Sequence, residues 1–318
     1  MEQSKKRQDI IKVAKLYYYG NMSQDEIAQL MQISRPKVSR LLSEARQLNI
    51  VQITINDPST SIKQSEDKIK KFFGLKYVKI VPTQNNDVTT KSLLGQAASQ
   101  FLNDNIQENS YIGISWGTTL AAVVNEFETK RPMPKATIVQ LIGGTYSESL
   151  NIDVRELVKN LAKKLECQHS ILQAPLVVHN PKLREMLMDE PMTREHFNKI
   201  RNLDIVLVGI GSAYYKDSIV YLANYIEEST AKTLSEMGLV ADICGHQLLA
   251  DGSAPHTFLS DRVIGIALED LHRVPLVVGI CAGKRKTAPL AAALHGHHVN
   301  CIIIDEVAAL TLIAEEKL

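Results

Sequence analysis

Seven short, mostly apolar runs recur through the larger part of the chain, at residues 77–81, 111–115, 137–141, 170–172, 205–209, 276–280 and 300–304. Helix-like stretches separate most of them, starting with an amphipathic one that ends at Phe73-Gly74. Strands that are apolar on both sides belong in a parallel sheet, because the crossover helices cover both of its faces. The expected class is therefore α/β, with a doubly wound sheet. Such a sheet collects its ligand just outside the carboxyl ends of its strands.

Those ends carry Trp116-Gly117-Thr118-Thr119, Gly143-Gly144-Thr145, Gly209-Ile210-Gly211-Ser212 and Ala282-Gly283-Lys284-Arg285-Lys286. Glycine allows close backbone approach, and a following helix N-terminus offers unbonded amides and a positive dipole to an anion. Gly117-Thr118-Thr119 running into Leu120-Ala121-Ala122-Val123-Val124 is the strongest case: strand, turn with two hydroxyls, helix. Read alone, it is equally a phosphate cradle or a Thr-capped turn; four glycine-bearing exits in one sheet favour the cradle. Gly209-x-Gly211 lacks the third glycine of a dinucleotide fingerprint, and neither a P-loop nor H-E-x-x-H is present. His295, His297 and His298 have no carboxylate or thiol spaced as in a known metal site, and a solvated loop is expected there. No cofactor and no metal are assigned.

Ahead of this region, Ser23 to Leu48 reads as two short helices. Ser23 and Glu26 form an S-x-x-E capping box, so a helix starts at Gln24, with Ile27, Leu30 and Met31 on its buried side and Ala28 at the crossing. Gln32 holds a turn position where Gly is common. Ser34 caps the next helix, and Pro36 occupies its first turn. In that helix Val38, Leu41, Leu42 and Ala45 share one face, leaving Arg35, Lys37, Ser39 and Arg40 outward near its N-terminus. A recognition helix reads bases in the major groove from such positions, so double-stranded operator DNA is the expected partner. A supporting helix precedes at residues 5–19, its Tyr17, Tyr18 and Tyr19 expected in a three-helix core. Residues 50–55 alternate as a strand does, which suits a winged arrangement. Turn and linker residues follow, and the domains are placed at 1–57 and 58–318.

Charge supports the division. Residues 1–50 hold nine Lys/Arg against five Asp/Glu, while the rest of the 318 residues is slightly acidic, so only the first segment is attracted to phosphate backbone. No apolar run approaches the length of a membrane span, no secretory h-region opens the chain, and a cytoplasmic protein without membrane contact is expected. The four cysteines are widely spaced and read as small buried hydrophobes.

Taken in order, IAQLMQISRPKVSRLL, IVQITINDP, IGISWGTTL, IVQLIGG, DIVLVGIGS, ADICG with a later DGS, SDRVIGI, GKRKTAPLAAAL and NCIIIDEVAA cover nearly the whole chain. This set resembles the SorC family of bacterial transcription regulators, especially the branch of the deoxyribonucleoside-operon regulators. The resemblance implies a larger domain similar to sugar-phosphate isomerases and deaminases but acting as a sensor and oligomerisation domain, in a dimer or tetramer. It implies that Gly117, Thr118 and Thr119 hold the phosphate of a phosphorylated sugar or polyol, with Lys286 on the same ligand. Asp242 and Asn151 would meet sugar hydroxyls, and the turn at Gly143 would contribute to the same site. Relatives often place Lys or Arg just before Gly143-Gly144, and in the deoxyribonucleoside branch that Lys forms a Schiff base. Here the residue is Ile142, so binding is expected to be reversible, with the ligand's carbon end facing that side chain. The alternative function is an active isomerase or deaminase carrying a DNA-binding domain, with Asp242, Asp251 and Asp261 as candidate bases. No paired base and acid is evident from their spacing, so no enzyme is expected.

Overall fold

The computed structural model describes residues 2–51, 62–144, 146–147 and 152–318, and backbone contacts divide the chain into Met1–Ser61 and Ile62–Leu318. The first unit is a three-helix head: α1 (Glu2–Tyr18), α2 (Gln24–Met31) and α3 (Arg35–Gln47). The capping box at α2 is formed in both directions, the Ser23 amide donating to the Glu26 carboxylate at 2.7 Å and the Glu26 amide to the Ser23 hydroxyl at 3.3 Å. Ile10, Val13, Ile27, Val38, Leu41, Leu42 and Ala45 form the core. Gln32 takes the left-handed conformation that the turn demands, at φ +52°.

Three local expectations are corrected. Leu30 is 59% exposed and Tyr19 is 85% exposed, because a core made by three short helices reaches only the innermost stripe of each. Ser34 has the extended backbone of a cap but its hydroxyl makes no capping bond, so Pro36 and that backbone start α3 without it. Ile50 and Val51 pack on the head core; the rest of the expected wing strand lies outside the described residues.

The second unit is built on seven parallel strands, numbered here for the main sheet alone: β1 (Tyr77–Val81), β2 (Tyr111–Ile114), β3 (Thr137–Gln140), β4 (Gln168–Ser170), β5 (Ile205–Gly209), β6 (Leu276–Cys281) and β7 (Cys301–Asp305). They lie in the order β1-β7-β6-β5-β2-β3-β4, and along the chain helix α4 (Ile62–Phe73) precedes β1, α5 (Asp87–Asn105) joins β1 to β2 and α6 (Thr118–Glu126) follows β2. Six of the seven expected runs are strands over most of their length, and the seventh is strand only at Ser170. The least apolar, at 170–172, begins earlier than expected and ends at Ser170, at the sheet edge. From β2 the chain winds one way through β3 and β4; it then returns to β5 beside β2 and winds the other way. The switch point therefore lies between the ends of β2 and β5. A small antiparallel sheet of Gly211–Ser212, Ala241–Ile243 and His246–Leu248 stands beyond β5. Its hairpin turns through Cys244 and Gly245, at φ +54° and +87°, the mirror-type turn that matches strand twist.

Cys244, Cys281 and Cys301 are buried, Cys167 is partly so, and none is bridged. Of the three histidines expected in a solvated loop, His295 and His297 are exposed but His298 is buried. Its Nε2 donates to the Gly252 carbonyl at 2.7 Å, and His272 donates to its Nδ1 at 2.9 Å. His196 likewise donates to the Gln140 carbonyl and accepts from the Ser170 hydroxyl, both at 2.8 Å. Burial pushes both imidazoles below the ordinary 6.5. The sign follows: below that pH the unfolded chain binds protons that the folded chain refuses, so stability present at neutral pH is lost as pH falls. Melting temperature should drop between about pH 7 and pH 5.5, and His298→Asn should flatten that slope, as scanning calorimetry would read; an unchanged slope would show that the imidazole is not the titrating group.

Candidate functional site

Helix α6 (Thr118–Glu126) starts directly after β2, and Gly117 is its cap residue at φ +129°. A side chain there would meet nothing within 4 Å, so it is conformation that calls for glycine at this turn. The geometry aims the first turn of α6, with the Thr118 and Thr119 side chains, into a cavity of about 590 Å³ at the switch point. Gly209, Ile210 and Gly211 after β5, and the 282–286 loop after β6, close its other sides. Three of the four expected glycine-bearing exits thus converge. Trp116, Leu176 and Val220 supply apolar wall.

Lys286 ends a short 3-10 turn, Lys284–Lys286, that leads into the helix Thr287–His295. It lines the cavity, and no carboxylate of the described residues lies within ion-pair distance of its amine. Burial pushes that amine below the ordinary 10.5, against the pull of the carboxyls of Asp217 and Asp242. A half-sequestered ammonium without a counter-ion is a site that gains from an arriving anion. Among the described residues, the buried side-chain polar atom with no hydrogen-bond partner is the Thr287 hydroxyl, the next residue in the chain. The loop is held from behind by Asp305, whose carboxylate accepts from the Gly283 amide at 2.8 Å, the Thr83 hydroxyl at 2.7 Å and the Ala308 amide at 3.2 Å.

Asp242 lines the cavity from the small sheet rather than capping a helix. It accepts from the Gln247 amide at 2.8 Å and the Gly245 amide at 3.2 Å, yet burial still pushes its carboxyl above the usual range. A carboxyl so placed donates or accepts hydrogen bonds to a hydroxylated ligand. Burial also pushes Cys281 in the same wall up to about 12, so it stays a thiol. Asp251 and Asp261 do not line the cavity; the first accepts from Ser253 and the second pairs with His256.

Two expectations fail. Gly143 is not in the cavity: its amide donates to the Ile264 carbonyl at 2.8 Å, and its missing side chain makes room for the Pro175 backbone. Ile142 is buried, bridged to Gly265, and does not line the cavity either. Asn151 lies outside the described residues. Lys91, which the sequence reading passed over, does line the cavity, and its Nζ donates to the Thr118 hydroxyl at 3.0 Å. In sequence it is an ordinary helical lysine four residues after an aspartate, and nothing in that spacing points to the cavity.

In the head, Arg35, Lys37, Ser39 and Arg40 are all exposed at the start of α3. Arg35 Nε lies 3.5 Å from Asp25, leaving the outer edge of its guanidinium open. That edge can fork to guanine N7 and O6.

The family model described as "Putative sugar-binding domain" matches residues 57–314. The deoxyribonucleoside regulator of Bacillus subtilis is 27% identical over 310 residues, covering 97% of this chain and 98% of that protein. The sorbitol operon regulator of Klebsiella pneumoniae is 28% identical over 319 residues, covering 98% and 100%. The crystal structure of that full-length regulator superposes with a TM-score of 0.74 over 95% of this chain and 97% of that chain.

Proposed function

We propose, from the premise that this chain belongs to the SorC family of transcription regulators with a sugar-binding domain, that its head binds operator DNA and its second unit senses a phosphorylated sugar or polyol. Relatives along nearly its whole length are named a deoxyribonucleoside regulator, a sorbitol operon regulator and a transcriptional regulator, and the reading as an isomerase with a DNA-binding appendage is set aside. The observation that carries the effector reading is the convergence of Gly117, Thr118, Thr119 and the amine of Lys286 on one cavity at the switch point. The α6 N-terminus and its two hydroxyls suit phosphoryl oxygens, and Lys286 supplies the opposing charge. Asp242 suits the hydroxyls of the carbon chain. The ligand's carbon end meets Trp116 and Leu176 rather than Ile142. Binding is reversible and works by population shift, favouring an assembly with different operator affinity. Self-association, as a dimer or tetramer, is assigned to residues 58–318.

In the head, Arg35 and Arg40 are assigned to base edges or phosphate and Lys37 and Ser39 to backbone oxygens. Arg35→Ala and Arg40→Ala should each weaken operator binding about tenfold or more in a gel shift, without lowering the melting temperature. Unchanged binding by both variants would overturn the assignment. A thermal-shift panel of sugar phosphates beside their parent sugars tests the effector class, since a ligand that prefers the folded state raises its melting point. Stabilisation by the parent sugars alone would refute the phosphate reading.

A further inference from the structure

We propose that Lys91 is the positioning residue that turns the Thr118 hydroxyl toward the ligand, and that it is thereby the selector for a doubly charged phosphomonoester. The inference rests on the phosphate reading of residues 117–119 above. Lys91 sits on α5 (Asp87–Asn105), the helix that follows β1, and not on any strand exit. Its side chain is only 22% exposed, whereas that of its partner Asp87 is 70% exposed, so the amine is drawn inward from the carboxylate it is paired with at 2.6 Å.

An ammonium has three protons to give and no lone pair to receive one. Lys91 gives one to Asp87 and one to Thr118. A hydroxyl that accepts from an ammonium must send its own proton in another direction. Thr118 lines the cavity at the first turn of α6, so that proton is directed to whatever occupies the cavity. Without Lys91 the same hydroxyl rotates and offers lone pair or proton alike, and an anion then has to orient it on arrival.

Charge sets the ligand class. Lys91, Lys284, Arg285 and Lys286 line the cavity against Asp87, Asp217 and Asp242, and burial favours the neutral form of Asp242. The surplus is positive and matches a phosphomonoester dianion better than a carboxylate or phosphodiester. Lys91 and Lys286 also repel one another, since the charge of the first lowers the proton affinity of the second. A dianion between them converts that repulsion into two attractions.

The experiment is calorimetric titration of the full-length chain with inorganic phosphate near pH 7.5, beside acetate as the monoanion. Lys91→Met should lose roughly tenfold or more in phosphate affinity, and Lys91→Arg should recover most of it. Lys91→Met combined with Thr118→Val should lose clearly less than the two single losses multiplied together, because both changes remove one arrangement and only the charge of Lys91 is lost in addition. Asp87→Asn, which releases Lys91 from its competitor, should strengthen phosphate binding severalfold and acetate binding by clearly less. That last variant keeps the proposal falsifiable if Lys91→Met fails to fold. Unchanged affinity in Lys91→Met, full additivity in the double variant, or unchanged or weaker binding in Asp87→Asn would each overturn it. If the wild-type chain binds no phosphate at all, the phosphate reading itself falls.

Discussion

Gly143→Ala is expected to destabilise the second unit by more than about 3 kcal/mol, a fall in melting temperature on the order of 10 °C. The reason is space, since a side chain there would run into the Pro175 carbonyl and the Leu176 amide, both backbone atoms in the strand-like contact that Gly144 makes with Pro175. Backbone held by hydrogen bonds on both sides, from Gly143 to Ile264 and from Leu176 to Gly144, cannot step aside as a flexible side chain does. Thermal denaturation with and without phosphate separates this from the ligand role that the sequence suggested. A large drop in the unliganded protein is the structural result. An unchanged melting temperature with weakened phosphate binding would return Gly143 to the effector site.

Lys286→Met should abolish the response to effector, with a loss of roughly hundredfold in affinity for a phosphomonoester. The unliganded variant should melt at the same temperature or slightly above the parent, because methionine fills the same volume and removes a charge that burial disfavours. The pH dependence carries a sign. Phosphate becomes a dianion above about pH 6, and Lys286 loses its proton at a value below the ordinary 10.5. Affinity should therefore rise through the first transition, where binding releases protons, and fall on the alkaline side as Lys286 is neutralised, where binding takes them up. Lys286→Met should lose the alkaline fall. Titration in buffers of different ionisation enthalpy reads the proton uptake directly, and the same alkaline fall persisting in the variant would assign it to another group.

How far the sequence spoke depended on whether neighbours in the chain are neighbours in space. The head was readable because a capping box, a left-handed turn residue and a proline-started helix are local devices spanning Ser23 to Pro36. The sheet was readable because strands such as Ile205–Gly209 and Cys301–Asp305 are buried along nearly their whole length and admit few polar residues. The exits at Gly117, Gly209 and Gly283 followed from the rule for parallel sheets. What stayed hidden came from tertiary approach. Lys91 reaches Thr118 from a different helix across 27 positions of chain. Asp242 is placed by a hairpin whose turn depends on Cys244, a residue with no ordinary preference for the left-handed region. His298 sits in a Gly-His-His run that reads as solvent-facing, and only the approach of Gly252 and His272 makes it core. Gly143 is ambiguous for the opposite reason: glycine after a strand serves a ligand and a neighbouring backbone equally well, and only the approach of the Pro175 backbone distinguishes the two.

The grip of Asp305 on three separate segments has a mechanical consequence. One carboxylate fastens the Gly283 loop, the Thr83 hydroxyl after β1 and the first turn of the last helix, Glu306–Glu315. The Lys284–Lys286 turn is therefore not a loose flap that can swing toward its guest alone. A pull on it is a pull on the knot, and the knot hands the strain on to the chain's final helix and to the segment leading into α5.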